Sequence, residues 1–238
     1  MQVFGSNEMS DADSKEQKRL RELKQYEEEL WKQGFRYIAG LDEVGRGPIA
    51  GPVVAAAVVL PQAAAITGVD DSKKLSANRR KVLAAEIKAT AISWAVVGIN
   101  PPYLDDINIL NATRKAMHMA VRELYPGPDF LLIDALKLPD INIKQQSLIK
   151  GDSLSISIAC ASILAKVERD ASMEYFDLLY PGYGFAKHKG YATRQHIKAL
   201  MDKGPCSIHR SSFEPVKTLL TGGMYYESQP GLFDQDDA

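Results

Sequence analysis

Two adjacent carboxylates, Asp42 and Glu43, end an apolar run and stand directly before a turn that contains Gly45 and Gly47. Neighbouring residues of a strand normally point to opposite faces, so both acids serve one site only if the strand bends there. The two glycines permit backbone shapes that other residues resist. Acids gathered in one cleft repel each other unless a cation binds them, so the pattern indicates a metal site. The alternative is an acidic strand end in solvent.

Three further aspartates stand at the ends of predicted elements or on a buried helix stripe. Asp134 follows the apolar run Phe130 to Ile133, and a carboxylate at the carboxyl end of a strand is well placed to face a cleft above the sheet. A turn-forming Asp is the alternative there. Asp152 precedes a long helix, where helix capping is the plain interpretation. Asp170 falls on the apolar stripe of that helix, and a charge on a buried stripe needs a partner or a function.

The metal that such a site would bind follows from its ligands. Oxygen ligands with few histidines suit Mg²⁺ or Mn²⁺ rather than zinc. The histidines show no paired spacing, and we expect structural or surface roles for all four: His118, His188, His196 and His209. Cys160 and Cys206 form no C-x-x-C pair, which predicts two reduced thiols in a cytosolic protein.

The elements that must position these acids are predicted from hydrophobic periodicity. Apolar, β-branched runs predict four strands, of which the first two form a hairpin: Phe35 to Leu41, Val53 to Leu60, Ile92 to Ile99 and Phe130 to Ile133. Helical spacing predicts one N-terminal helix ending at Gly34, a helix capped by Ser76, one from Asn108 to Tyr125, a long one after Ser153 and one near Thr193 to Met201. Strands that cluster first and then alternate with helices favour an α/β fold with a mixed sheet.

A dinucleotide-binding turn is the competing interpretation of the first motif, because Gly45, Gly47 and Ala50 match the spacing G-x-G-x-x-A. That fingerprint must open a helix. Here Pro48 and Pro52 interrupt the turn, and the β-branched run that follows continues as a strand. We therefore reject a dinucleotide site.

The bulk composition suits one compact domain with a small appendage: 238 residues, 45% hydrophobic and 25% charged. The apolar runs are far shorter than the roughly 20 residues of a membrane helix, and the N-terminus shows no signal pattern, so we expect a soluble, unsecreted protein. The net charge of −1 gives no overall positive field of the kind that indicates a nucleic-acid-binding protein. Basic residues form three local clusters: Lys73-Lys74, Arg79-Arg80-Lys81 and Lys187-His188-Lys189. Each is either a patch that binds nucleic acid or an ordinary solvated surface.

Six ordered motifs together resemble bacterial ribonuclease HII. They are Tyr37-Ile-Ala-Gly-Leu-Asp-Glu-Val-Gly-Arg-Gly-Pro, Asp71-Ser-Lys-Lys-Leu, Leu132-Ile-Asp, Lys150-Gly-Asp, Ala161-Ser-Ile-Leu-Ala-Lys-Val-Glu-Arg-Asp and His188-Lys-Gly-Tyr. The resemblance extends from about Phe35 to Val216 and includes His209-Arg-Ser-Ser-Phe-Glu-Pro. Two segments lie outside the resemblance: an N-terminal polar segment with an amphipathic helix (residues 1–34) and a C-terminal tail (217–238).

The resemblance implies a ribonuclease H-like mixed sheet flanked by helices, with a helical C-terminal extension. It also implies a site for two divalent ions, Mn²⁺ or Mg²⁺, whose ligands are Asp42, Glu43, Asp134 and, as fourth acid, Asp152. Asp170 supports the site from nearby. The substrate contacts implied are Gly45-Arg46-Gly47 at the 2′-hydroxyl, Tyr191 stacked at the RNA–DNA junction and Lys73 at a phosphate. Without the motif, Tyr191 is an ordinary loop aromatic.

The activity implied is endonucleolytic. The family hydrolyses the RNA strand of RNA–DNA hybrids and cuts 5′ to single ribonucleotides in duplex DNA, leaving 3′-hydroxyl and 5′-phosphate ends. Two metals about 3.5 to 4 Å apart suit such a hydrolysis, and only the 2′-hydroxyl distinguishes RNA from DNA at one sugar. We expect a cytoplasmic monomer. A catalytically silent nucleic-acid-binding module of the same fold is the alternative, which the intact acid set disfavours.

The polar tail carries one further motif. Gln229, Leu232 and Phe233 resemble the bacterial sliding-clamp pattern Q-x-x-L-F. Two adjacent large apolar side chains are conspicuous in a tail that has no core for them. The sequence therefore predicts clamp binding, and the alternative is a tail that folds back onto the domain.

Overall fold

The computed structural model describes residues 11–223 and shows a five-stranded sheet flanked by helices. The strands are Ile38–Val44 (β1), Val53–Val59 (β2), Ser93–Ile99 (β3), Phe130–Asp134 (β4) and Lys144–Leu148 (β5). The helices are Asp11–Leu23 (α1), Gln25–Lys32 (α2), Ala77–Thr90 (α3), Tyr103–Ile107 (α4), Ile109–Arg122 (α5), Ile156–Leu179 (α6), Phe185–His188 (α7), Arg194–Lys203 (α8) and Val216–Leu220 (α9). No helix in this range is long and apolar enough to cross a membrane.

The sheet is mixed, in the order β3-β2-β1-β4-β5. β1 and β2 form the predicted antiparallel hairpin, whereas β1, β4 and β5 run parallel. The pairing of β1 with β2 continues without a bulge to Val44, so the bend expected at the paired acids is absent and the turn begins at Gly45. The two acids interact without a bend, because the charge of Glu43 raises the pKa of Asp42 from the next position of a regular strand. The α/β prediction with a mixed sheet is confirmed.

Each face of the sheet packs against a different helix layer. One face buries side chains of β2 against α6 and α3, and the other buries β1, β2 and β4 against α5. α6 crosses β1 so closely that a Cβ at Gly40 would lie 2.1 Å from the carbonyl carbon of Ser157. Only a glycine allows this contact, which places the first turn of α6 directly against β1 beside the acids that follow Gly40.

The N-terminal helix differs from the single helix predicted, because α1 and α2 are separated at Lys24. The Lys24 N–H donates to the Arg21 carbonyl three residues back, which tightens the chain locally. Beyond this break, α2 buries Glu27 against Ser155 and Ser157 at the start of α6. The segment is thus packed onto the core of the domain.

The start of α6 also differs from the prediction. Asp152 lies in a short 3₁₀ helix, Gly151–Ser153, and the cap of α6 is Ser155 rather than Ser153. The Ser155 hydroxyl accepts a hydrogen bond from the Ile158 N–H at 3.2 Å, which satisfies a backbone donor at the helix start. Asp152 is therefore not the helix cap.

The sequence did not predict β5. This strand reads Lys-Gln-Gln-Ser-Leu and has none of the β-branched or aromatic residues that mark strands. It forms because it pairs in parallel register with β4 along the edge of the sheet.

Candidate active site

The register of the central strands brings Asp42 and Asp134 to one face. Leu41 of β1 pairs with Ile133 of β4, and both are buried on the α5 side. Because strand residues alternate between faces, the next residues, Asp42 and Asp134, both point to the α6 side. The Gly151 N–H donates to Asp134 Oδ1 at 2.7 Å, which fixes that carboxylate.

Burial and like charge both act on the central acids. Burial is the main cause that raises the pKa of Asp42 well above its usual value, and the neighbouring charges of Glu43 and Asp134 raise it further. A hydrogen bond with Ser162 opposes this rise. Burial also raises the pKa of Glu43, against the opposing charge of Arg46, whose Nη1 lies 3.4 Å from Glu43 Oε1. Without a cation, ionisation of this group is costly.

Asp152 and Lys73 stand at the side of this group. Burial is the main cause that raises the pKa of Asp152, and the charges of Asp71 and Asp134 add to it. The charge of Lys73 opposes these causes, so its ammonium group lies close enough to act on Asp152. Asp71 caps the 3₁₀ helix that carries Lys73, accepting from its N–H at 2.9 Å. A basic side chain is thereby held beside the acids.

The acids fit a hard divalent cation by their chemistry. The negatively charged groups that converge are all carboxylates, and the Glu43 Oε2 atom is buried with no hydrogen-bond partner among the described residues. A buried, unpartnered carboxylate oxygen is costly unless a cation or proton reaches it. As they stand, no three His, Cys, Asp or Glu side chains of residues 15–223 are arranged to hold one ion. Cation binding therefore requires these carboxylates to turn toward one another.

Two buried arginines hold the turn after β1. Arg210 is fully buried and donates to the carbonyls of Gly45, Arg46 and Gly51 at 2.6, 2.9 and 3.0 Å. Burial lowers its pKa to about 9, which leaves the guanidinium charged at neutral pH. The positive φ of Gly45, 93°, is a conformation that favours glycine. The hydrogen bonds of the buried Arg210 guanidinium therefore hold the turn in its shape.

Arg169 joins this turn to the loop that carries the candidate stacking residue. It is fully buried and donates to the carbonyls of Pro52, Ala50 and Lys189 at 3.0, 3.2 and 2.9 Å. A Cβ at Gly45 would lie 2.1 Å from Arg169 Nε, so the glycine also makes room for this side chain. The turn and the loop after α7 are thus fastened to one guanidinium.

Tyr191 stands beside the turn with 44% of its surface exposed. A Cβ at Gly47 would have the Tyr191 ring carbon Cε1 as its nearest neighbour, at 3.8 Å. The Ile49 N–H donates to the Gly190 carbonyl at 2.9 Å and ties the two segments together. The glycine turn and Tyr191, far apart in the sequence, therefore form one surface.

Asp170 lies next to Arg169 and is paired. Its carboxylate is 2.8 Å from Lys166 Nζ and 3.5 Å from Arg80 Nη2. Lys166 and Arg80 are thus the partners that a buried charge on this stripe requires. Support of the site by Asp170 remains a proposal, since its contacts are with basic residues rather than with the acids.

A model of the family Ribonuclease HII matches residues 39–216, which contain every acid of the candidate site. The chain belongs to the ribonuclease HII family. Ribonuclease HII of Syntrophomonas wolfei is 64% identical over 92% of this chain and 86% of that protein. Ribonuclease HII of Listeria innocua is 54% identical over 84% of this chain and 76% of that protein. The resemblance inferred from the motifs is confirmed.

Solved structures agree on the fold. Ribonuclease H2 of Pyrococcus horikoshii superposes with a TM-score of 0.68 at 22% identity, over 78% of this chain and 98% of that chain. Ribonuclease HII of Archaeoglobus fulgidus, solved in a PCNA complex, gives 0.62 at 26% identity, over 75% and 95%. This ribonuclease HII family member is an endonuclease that depends on divalent metal and hydrolyses RNA in RNA–DNA hybrids, as the sequence predicted.

Three residues of this ribonuclease HII site were not singled out from the sequence: Ser162, Arg169 and Arg210. Ser162 bonds Asp42 and also lies 2.9 Å from the hydroxyl of Ser72. Both Ser162 and Arg169 stand inside a recognised motif, but only as context for Asp170. Arg169 could have been identified from the sequence, because it is an arginine among the apolar residues of α6 and a buried guanidinium requires hydrogen-bond acceptors.

Three of the four histidines are buried beneath the Tyr191 loop: His188, His196 and His209. Both ring nitrogens of His196 and of His209 are in hydrogen bonds. This agrees with the structural role predicted for them. Mainly through burial, the pKa of His196 falls to about 3 and that of His209 to about 4.

Acid is expected to destabilise the enzyme through these histidines. Each pKa is lower in the folded state than the ordinary 6.5, so unfolding takes up protons. The stability they contribute is full above about pH 6.5 and declines toward pH 4 by up to about 1.4 kcal/mol per pH unit for each histidine. Urea unfolding from pH 7 to 4.5 measures the slope. His209→Gln should give a shallower slope, and equal slopes would exclude this origin.

Proposed function

We propose that this enzyme cuts on the 5′ side of single ribonucleotides embedded in duplex DNA, besides cutting hybrids, and leaves 3′-hydroxyl and 5′-phosphate ends. The observation that carries the proposal is the joining of the acid group to the surface formed by the Gly45 turn and Tyr191. The acids supply a site for hydrolysis, and the adjoining surface is suited to recognise one sugar and the base step beside it.

We propose that Asp42, Glu43, Asp134 and Asp152 hold two divalent ions, Mn²⁺ or Mg²⁺. A ribonuclease HIII that shares the fold, with a TM-score of 0.60, was solved with Mn²⁺. When bound, the ions supply Lewis-acid charge for phosphodiester hydrolysis. One backbone group and one side chain orient the ligand oxygens: the Gly151 N–H donates to Asp134, and Ser162 bonds Asp42.

The Gly45-Arg46-Gly47 turn is suited to contact a 2′-hydroxyl through its backbone. The carbonyls of Gly45 and Arg46 are occupied by Arg210. Among the described residues, the N–H groups of Arg46 and Gly47 donate no hydrogen bond. Fixed, free backbone groups on a glycine-containing turn approach a sugar closely without a side chain in between. We propose that Lys73, whose charge acts on Asp152, contacts a nearby phosphate.

The direct test maps the cut on a DNA duplex with one labelled ribonucleotide. Cleavage products from Mn²⁺ and Mg²⁺ reactions are sized beside an alkaline ladder, and their ends are tested for ligation and for extension by a polymerase. A single cut 5′ to the ribonucleotide, with an extendable 3′-hydroxyl, is expected. A cut on the 3′ side, or a 3′-phosphate product, would refute the proposal.

Tyr191→Ala is expected to reduce kcat/KM about tenfold on the single-ribonucleotide duplex and less on a long hybrid. Base–aromatic stacking contributes roughly 1–3 kcal/mol, and a single junction offers no alternative register. Steady-state rates on both substrates measure the ratio. Tyr191→Phe should keep most activity, and Tyr125→Ala, which removes a tyrosine that is 90% exposed, serves as the matched control. Equal losses on the two substrates would contradict junction reading.

We also propose that the C-terminal tail binds a replication sliding clamp through Gln229, Leu232 and Phe233. These residues lie outside the described range, so the support comes from the sequence and from the Archaeoglobus fulgidus ribonuclease HII solved with PCNA. Binding by a short peptide would be modest and dominated by the two apolar anchors.

The double variant Leu232→Ala, Phe233→Ala is expected to lose clamp binding in calorimetry while cleaving a short duplex as fast as wild type. Removing both anchors should weaken binding at least about a hundredfold. Tyr225→Ala, Tyr226→Ala removes two large side chains outside the motif and is the matched control. Clamp binding by the double variant equal to that of wild type, or none by the intact chain, ends the proposal.

A further inference from the structure

A chain of hydrogen bonds runs through buried histidines to the backbone of Tyr191. His196 Nδ1 lies 2.7 Å from the Tyr191 carbonyl oxygen, and its Nε2 lies 3.1 Å from His209 Nε2. The Cys206 N–H reaches His209 Nδ1 at 2.9 Å. Phe185 packs edge-on against the His196 ring, with centroids 5.3 Å apart. These contacts lie behind Tyr191, away from the acids.

The partners determine where each proton lies. A carbonyl oxygen only accepts, so His196 Nδ1 carries a proton and donates to Tyr191. In the neutral ring, His196 Nε2 is then an acceptor, and His209 Nε2 must donate to it. His209 Nδ1 in turn accepts from the Cys206 N–H. One pair of neutral tautomers satisfies these contacts, and it also suits the Cys206 thiol, whose S–H can donate to His209 Nδ1 at 3.1 Å. The lowered pKa values of both rings agree with it.

The segment that begins at His209 acts on both halves of the proposed junction reader. His209 acts through His196 on Tyr191, while the next residue, Arg210, holds the carbonyls of Gly45 and Arg46. The Arg210 N–H also donates to the Ile49 carbonyl at 2.9 Å, and the Ile49 N–H donates to Gly190. Two neighbouring residues therefore fasten two segments that must keep a fixed spacing.

We propose that His196 and His209 are positioning residues for the reaction, forming a neutral histidine relay that holds Tyr191 beside the Gly47 turn before substrate arrives. The inference rests on the proposed function of Tyr191 at the junction. The hydrogen bond from His196 to the Tyr191 carbonyl fixes the backbone of the loop and leaves the exposed Tyr191 ring free to stack. The relay therefore acts by preorganisation, which spares the ordering cost when the substrate binds.

The relay is tested first without reference to activity. Nitrogen-15 NMR of the histidine rings in the full chain should show His196 protonated on Nδ1 and His209 on Nε2, both unchanged from pH 8 to 5. An imidazolium in either ring at pH 7, or His196 protonated only on Nε2, would overturn the relay whatever the enzyme cleaves.

Kinetics then test positioning. His196→Phe keeps the ring volume but removes both hydrogen bonds, and about a tenfold loss of kcat/KM on the single-ribonucleotide duplex is expected. His196→Asn places an amide N–H where Nδ1 stands and should recover most of it. In a Tyr191→Ala background, His196→Phe should cost nothing further, because coupled residues are not additive. Fully additive losses, or no loss in His196→Phe, would overturn positioning.

Two controls separate the outcomes. If Tyr191→Ala harms both substrates equally, junction reading fails, but the additivity comparison still decides whether the relay acts through Tyr191. If His196→Phe does not fold by circular dichroism, His209→Gln and His209→Leu replace it. The glutamine offers an N–H in place of Nε2 and should stay near wild type, whereas the leucine should show the loss. Equal behaviour of these two would contradict the relay.

Discussion

Asp134→Asn is expected to abolish cleavage, with a loss of at least about a thousandfold, while the protein stays folded and binds the duplex. The change removes one negative charge from the acid group but almost no volume. Asparagine Oδ1 continues to accept from the Gly151 N–H, which Asp134 Oδ1 accepts at 2.7 Å. It also relieves the like charge that raises the pKa of Asp42, so unfolding should not become easier.

The measurement is single-turnover cleavage at saturating Mn²⁺ or Mg²⁺, beside duplex binding in the absence of metal. Asp140→Asn is the matched control, because Asp140 is an exposed acid on the loop that follows β4. This variant should cleave at the wild-type rate. Cleavage by Asp134→Asn within about tenfold of wild type, a barrier change near 1.4 kcal/mol, would remove Asp134 from the catalytic group.

Arg210→Lys is expected to lower the free energy of unfolding by about 3 kcal/mol and to reduce cleavage about a hundredfold. Lysine keeps the charge but cannot span the three carbonyls that Arg210 reaches. At least two buried carbonyls then lose their donor. The turn that precedes Gly47 loses its imposed shape, and with it the spacing to Tyr191.

Urea unfolding gives the stability change, and cleavage is measured at a temperature at which both proteins are folded. Arg122→Lys, at an exposed arginine in the last turn of α5, should change neither quantity. A stable Arg210→Lys protein with normal cleavage of both substrates would show that the turn keeps its shape without the guanidinium.

The sequence predicted the parts of the site that local patterns mark. Asp42 and Asp134 each follow an apolar strand, and parallel neighbours in a sheet place such residues side by side. The hairpin and the long helix were likewise predicted from local periodicity. β5 was missed because its polar residues carry no strand signal and it depends on β4 for its structure.

The contacts that shape the turn could not be predicted, because they join residues far apart in the chain. Arg169 reaches Pro52, and Arg210 reaches Gly45, across more than a hundred residues. The histidines have no paired spacing, yet α7, α8 and the following loop bring three of them together. Local propensity contains no information about such contacts, which depend on the assembled fold.

The burial of Glu27 means that the unit of folding is larger than the segment that the family model matches. Glu27 is 1% exposed and accepts from the Ser157 N–H at 3.1 Å, yet it lies before the matched residues 39–216. A boundary drawn at residue 39 would remove the carboxylate that accepts from the Ser157 N–H, so amide exchange at the start of α6 is expected to be faster in a chain cut there.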